Sequence, residues 1–198
     1  MRRRVIVFGK APQPGRVKTR LIPHLGGEGA ARLHAQLLRR ALRVATDAAI
    51  GPVELCTDDW NDSLEVLARG FALERSRQGE GDLGARMARA LARTPGALLI
   101  GTDSVALDPG YLRRAADALD RHDAVFAPTE DGGYLLVGMV RVIAAAFEGI
   151  SWSTDRVLAQ TRSQLAAVGA TWSELGLVWD IDRPEDYERM LATGIALD

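Results

Sequence analysis

Strand-sized apolar runs alternate with helix-sized amphipathic stretches from one end of this 198-residue chain to the other. That alternation predicts an α/β fold, a three-layer α/β/α sandwich around a mostly parallel, mixed sheet, rather than segregated strands and helices. Val5 to Gly9 is a β-branched run that ends at glycine and reads as a buried first strand. The next stretch, "KAPQPGRVKTRLIP", carries three prolines and a glycine and reads as a loop. From Glu28 to Ile50, Leu33, Leu37, Ala41, Val44, Ala45 and Ala48 share one helical face. "PVELCT" predicts a second strand, Ser63 to Ala68 a short helix, and "FALERS" a third strand. Asp82 is a candidate N-cap for a further helix, because its carboxylate can accept from free backbone N–H groups. "ALLIG" is continuously apolar, as a central parallel strand should be, and Asp108 before Pro109 is a helix start. "AVFAP" and "YLLVGM" are too close for a helical crossover, which predicts an antiparallel hairpin. Thr154 to Val168 reads as a helix stopping at Gly169, "GLVWDID" as a last strand and turn, and a final helix starts at Pro184.

Length and composition narrow the class. A chain of this size is expected to form a single domain spanning 1–198. The 25 basic and 26 acidic residues nearly cancel, so nothing in the charge balance points to nucleic acid or a membrane surface as partner. The lone cysteine, Cys56, lies in an apolar run and reads as an inert core residue. A reducing, cytoplasmic setting fits it. "MRRRVIVFG" is too short for a signal-peptide apolar region, and no apolar run reaches membrane-spanning length. His24, His34 and His122 are scattered without partners at metal spacing and read as structural or surface residues.

Five segments carry polar chemistry. Lys10, Arg16, Lys18 and Arg20 crowd the loop beyond the first strand, at the sheet edge where open α/β folds bind ligands. Guanidinium forks and ammonium groups suit phosphate oxygens, and Gly15 permits close backbone approach. The alternative is a solvated basic loop. It has neither the Walker pattern nor the dinucleotide fingerprint. In "GTDS", Asp103 follows a buried strand at the same edge and is either a ligand for Mg2+ or Mn2+ or an Asx-turn residue. In "WDIDRPEDY", Asp180 and Asp182 share one side of an extended segment, and either could complete the metal site. Asp182 also suits a helix start. In "EDGGYLLVG", Glu130 and Asp131 are candidates for contacting sugar hydroxyls or an acceptor, although a plain hairpin turn explains the glycines as well. In "QGEGDLGARM", glycines surround a helix start that could cradle an anion or a base.

Taken together, "FGKAPQPGRVKTRL", "QGEGDLGARM", "GTDS", "EDGGYLLVG" and "WDIDRPEDY" resemble the GT-A-like nucleotide-diphospho-sugar transferase superfamily. Within it, they are most similar to a bacterial family called selenium- or arsenosugar-cluster-associated glycosyltransferases, and more distantly to 2-phospho-L-lactate guanylyltransferase. The likeness runs from about Val5 to Leu191. It implies that Arg16 and Lys18 hold phosphates, where the loop reading adds Lys10, Gly15 and Arg20, that Gln78 and Gly81 lie near the base, and that Asp131, Gly132 and Gly133 lie near the sugar or second substrate. It also implies a metal held by Asp103 and Asp182, with Asp103, Lys18 and Asp131 as the catalytic set. The family reads Gly-Thr-Asp-Ser-Pro where this chain has Val105, which is expected to loosen that turn or alter the acceptor pocket.

The leading expectation is metal-dependent glycosyl transfer from a nucleotide-diphosphate sugar to a small-molecule acceptor. The alternatives are nucleotidyl transfer, in which a phosphorylated acceptor attacks a nucleoside triphosphate and pyrophosphate leaves, and a nucleotide-binding accessory protein without chemistry. Base, sugar, acceptor and oligomeric state are not legible.

Overall fold

The computed structural model describes residues 2–195 and 197. Seven strands form one sheet: β1 (Val5–Gly9), β2 (Val53–Thr57), β3 (Leu73–Arg77), β4 (Leu98–Ile100), β5 (Ala124–Pro128), β6 (Tyr134–Met139) and β7 (Trp172–Glu174). Their order is β3-β2-β1-β4-β6-β5-β7. Only β6 runs antiparallel to its neighbours, so the expected mixed, mostly parallel sheet and the β5–β6 hairpin are both present. Among the described residues, six α-helices complete the fold: α1 (Ile22–Ala48), α2 (Asp62–Ala68), α3 (Leu83–Ala92), α4 (Pro109–Ala118), α5 (Val157–Ala167) and α6 (Pro184–Ala192).

The period-2 alternation of the strands divides the core into two layers. Val5, Val7, Leu55, Leu98 and Ile100 face α1, α2 and α4. Ile6, Cys56, Leu99, Phe126 and Val137 face α3 and α5. A third, smaller cluster of Leu21, Leu33, Leu37, Val105, Ile181 and Met190 packs α6 against α1. It lies under the segments that carry the polar motifs. Glu54 is buried near the start of β2, where a charge needs partners. Arg4, Arg93 and Ser76 supply them.

Helix starts follow their caps. Asn61, Asp82 and Asp108 each accept a bond from the backbone N–H three residues on, at 2.9, 2.8 and 2.7 Å. Three boundaries differ from expectation. First, helix α1 reaches back to Ile22, after a 3-10 turn at Thr19–Leu21, ahead of the long helical piece that starts close to the expected Glu28. Pro23 sits in its first turn, where no N–H is needed, and non-helical Gly26 (φ 70°, ψ 166°) splits it into two pieces that the glycine-rich sequence hides. Second, α5 starts at Val157 rather than Thr154, whose hydroxyl closes a turn on Ser151 O at 2.7 Å. Third, the last strand is Trp172–Glu174, not "GLVWDID". That segment contributes one bridge, Thr129 to Val178, and then runs across the sheet edge. Among the described residues no helix is long and apolar enough to cross a membrane.

Candidate functional site

The chain leaves β1 toward β2 on one side and returns to β4 on the other. In open sheets of this strand order the loops beyond two such strands diverge, and a ligand crevice is expected at their carboxyl ends. The motif segments meet there. The Lys18 Nζ lies 2.6 Å from Asp103 Oδ1 and donates to Ile181 O at 2.6 Å. Ile181 N in turn donates to Asp103 O at 2.7 Å. One buried ammonium thus ties the β1 loop, the β4 end and the "WDID" segment together. Lys18 adopts φ 47°, a left-handed conformation that costs a non-glycine residue about 1–2 kcal/mol. The ion pair offsets that strain. Burial works most strongly, to raise the Asp103 carboxyl, but the Lys18 ammonium and the other positive charge around it, Lys10 included, together hold the group below the usual carboxylate range.

The four loop cations divide into two kinds. Lys18 is spent on Asp103, and Arg20 pairs with Asp182. Lys10 and Arg16 are exposed, and the Arg16 guanidinium donates to the side chain of Gln13 at 3.1 Å. Gly15 is exposed, with open space around it.

The acids also divide. The Asp180 carboxyl is pushed up to about 6, first by burial and then by the negative fields of Asp131 and Asp103. Asp182 is turned toward Arg20, and its own N–H and that of Arg183 donate to Asp186 Oδ2 at 3.1 and 2.8 Å. The helix-start duty expected of Asp182 belongs to Asp186. Asp131 Oδ1 accepts from Thr129 Oγ1 at 2.5 Å and Gly133 N at 3.1 Å. Glu130 is held by both arms of Arg189, which stacks on Trp179. Gly132 (φ 86°) packs against the backbone of Asp155, where a Cβ would overlap the carbonyl, so close chain packing requires this glycine.

Among the described residues no group of three or more His, Cys, Asp or Glu side chains could hold a metal by itself. Magnesium often takes only one or two carboxylates and completes its shell with phosphate and water. Asp103 and Asp180 fit that pattern: the Asp103 side chain is 45% exposed, and Asp180 sits in a crowd of negative charge that a cation would relieve.

Gln78 does not present its amide to the crevice. Its Nε2 donates to Gly9 O at 2.7 Å, its Oε1 accepts from Arg86 at 3.4 Å, and Arg89 donates to its backbone carbonyl at 2.7 Å. Gly81 is exposed just before the N-cap of α3. Val105 is buried in the third core cluster, and its carbonyl accepts from Arg40 at 3.0 Å, while Ser104 Oγ accepts from Ala106 N at 2.9 Å. These bonds hold the turn in place of a proline ring.

Two participants were not singled out in the sequence. His34, read as structural or surface, is buried on α1, bonded to Lys10 O at 3.0 Å and 4.0 Å from Asp103. Burial pushes its imidazole below the ordinary value. Asp58 accepts from Ala11 N at 3.0 Å and anchors the loop from β2. The polar run "TDD" after a buried strand at the same edge is the signal that points to it.

Solved structures share this architecture. A protein from Desulfovibrio desulfuricans G20, provisionally named a nucleotide-diphospho-sugar transferase, is 25% identical over 98% of this chain and 88% of its own, with a TM-score of 0.87. A nucleotidyl transferase from Methanothermobacter thermautotroptrophicus (Mth528) is 16% identical over 98% of both chains, with a TM-score of 0.67. Rv0371c of Mycobacterium tuberculosis H37Rv, solved in complex with manganese, is 18% identical over 96% and 99%, with a TM-score of 0.58. No curated protein matches the chain. A family model described as "Uncharacterized protein conserved in bacteria (DUF2064)" matches residues 31–154, so the chain belongs to the DUF2064 family, on a nucleotide-diphospho-sugar transferase-like fold.

Proposed function

We propose that this protein transfers a glycosyl group from a nucleotide-diphosphate sugar to a small-molecule acceptor in the cytoplasm. The observation that carries the reading is the Lys18–Asp103–Ile181 knot, which brings the cationic loop and the acidic strand end to one crevice. Lys10 and Arg16 are the groups free to meet a pyrophosphate. Lys18 and the Ile181 backbone orient Asp103. A Mg2+ or Mn2+ ion on Asp103 and Asp180, when bound, would neutralise charge on the departing nucleoside diphosphate. Asp180 takes the place expected of Asp182, because Asp182 is engaged by Arg20. Asp131, fixed by Thr129 and Gly133, would accept the proton of an acceptor hydroxyl as its oxygen bonds the sugar carbon and the bond to phosphate breaks. Similarity to the Desulfovibrio protein supports this reading.

Nucleotidyl transfer is the second reading, supported by the full-length likeness to the Methanothermobacter enzyme. The loop argues against it, since two of its four cations are already paired with acids and a triphosphate needs more. Product analysis separates the two. With Mg2+ or Mn2+, nucleotide sugars and an acceptor panel, release of nucleoside diphosphate is expected. Release of pyrophosphate from triphosphates would establish the second reading. Neither product, with ligand-induced thermal stabilisation retained, would leave a nucleotide-binding accessory protein.

A further inference from the structure

We infer that His34 and Gln78 are a pair of positioning residues that hold the root of the cationic loop by two consecutive carbonyls. The purpose assigned to them rests on the nucleotide-diphosphate reading above. The β1–β2 ladder ends at Gly9, and the next residue is Lys10. Gly9 O accepts from Gln78 Nε2 at 2.7 Å, and Lys10 O is bonded to His34 Nε2 at 3.0 Å. The two side chains come from different elements, Gln78 from the end of β3 and His34 from α1, and both are buried. Every other buried residue of α1 is Ala, Leu or Val, so His34 is the one polar group this face takes inside. A carbonyl only accepts, so the His34 proton lies on Nε2, and Nδ1 faces Asp103 Oδ1 at 4.0 Å. Asp58 adds a third tie on the next residue through Ala11 N.

The consequence is electrostatic. Carbonyl oxygens carry partial negative charge, and a peptide unit at a strand end is free to turn either way once its ladder stops. A carbonyl turned into the crevice would repel a pyrophosphate lying beside Lys10 and Arg16. With both carbonyls bound inward, neither Gly9 nor Lys10 turns its oxygen toward the anion.

The test uses His34→Gln, His34→Asn and Gln78→Leu. Glutamine places an N–H near the position of imidazole Nε2, whereas asparagine reaches only as far as Nδ1. Amide hydrogen exchange across residues 10–18 and affinities for nucleoside diphosphates and the matching nucleosides are measured. His34→Asn and Gln78→Leu are expected to speed exchange in the loop and to weaken diphosphate binding about tenfold, with nucleoside binding nearly unchanged. His34→Gln is expected to behave like the wild type in both. Unchanged exchange in His34→Asn, or equal losses for diphosphate and nucleoside, would overturn the inference. If the wild-type protein binds no nucleoside diphosphate, the functional reading and the purpose of the ties both fail, while the exchange rates still decide whether the ties hold the loop.

Discussion

Lys18 and Asp103 form an unequal pair: the lysine side chain is 4% exposed, the aspartate 45%. Removing the ammonium leaves a carboxylate that water can partly serve, so the loss should fall below that of a fully buried pair. Lys18→Met is expected to cost about 1–3 kcal/mol in urea unfolding, and adding Asp103→Asn should recover part of it. Losses that simply add would mean that the two residues do not interact. Asp180 is the converse case. Its carboxyl titrates near 6 in the fold against 3.8 in a free chain, so its ionised form destabilises the protein at neutral pH. That penalty disappears as pH falls from about 6 to about 4, and stability should rise across this window. Asp180→Asn should remove that rise, stabilise the metal-free protein at neutral pH, and abolish stabilisation by Mg2+. A variant with the wild-type pH profile would contradict the assignment. That Asp103 meets the cationic loop was foreshadowed in the sequence, because a polar residue closing a buried strand stands at the same sheet edge as Lys18. The choice between Asp180 and Asp182 was not, because alternation puts both on one side and only the fold shows which one Arg20 occupies. His34 was hidden because a histidine on a helix edge looks the same whether its partner is water or a distant carbonyl.

Among the elements, the strands and capped helices were readable, since Val5–Gly9, Leu98–Ile100 and the Asp82 and Asp108 caps act through local chemistry. The short β7 was not, because its three residues are all half-buried and show neither an apolar run nor an alternation. "GLVWDID" has the apolar content of a strand, yet Leu177 is exposed and the segment serves to carry Ile181 to Asp103. The "EDGG" turn serves packing as well as any ligand. Gly132→Ala would drive a methyl group into the Asp155 carbonyl and force a left-handed backbone on alanine. A loss of about 2 kcal/mol or more is expected by denaturant unfolding. A loss below half a kcal/mol, on the order of an ordinary surface change, would show that the 151–157 segment yields freely.

At the scale of the molecule, strand order creates the site. The sequence shows strands and helices in succession but not that β1 lies between β2 and β4, and that placement opens the crevice. The central claim is that the β1 loop and the β4 end together form a metal-dependent diphosphate site. Calorimetric titration of nucleoside diphosphates, with and without Mg2+ or Mn2+, tests it most directly when run on the wild type, Arg16→Ala and Asp103→Ala. Binding to the wild type should strengthen with metal, Asp103→Ala should lose that metal dependence while remaining folded, and Arg16→Ala should weaken diphosphate more than nucleoside. Metal-independent binding that neither substitution changes would contradict the account.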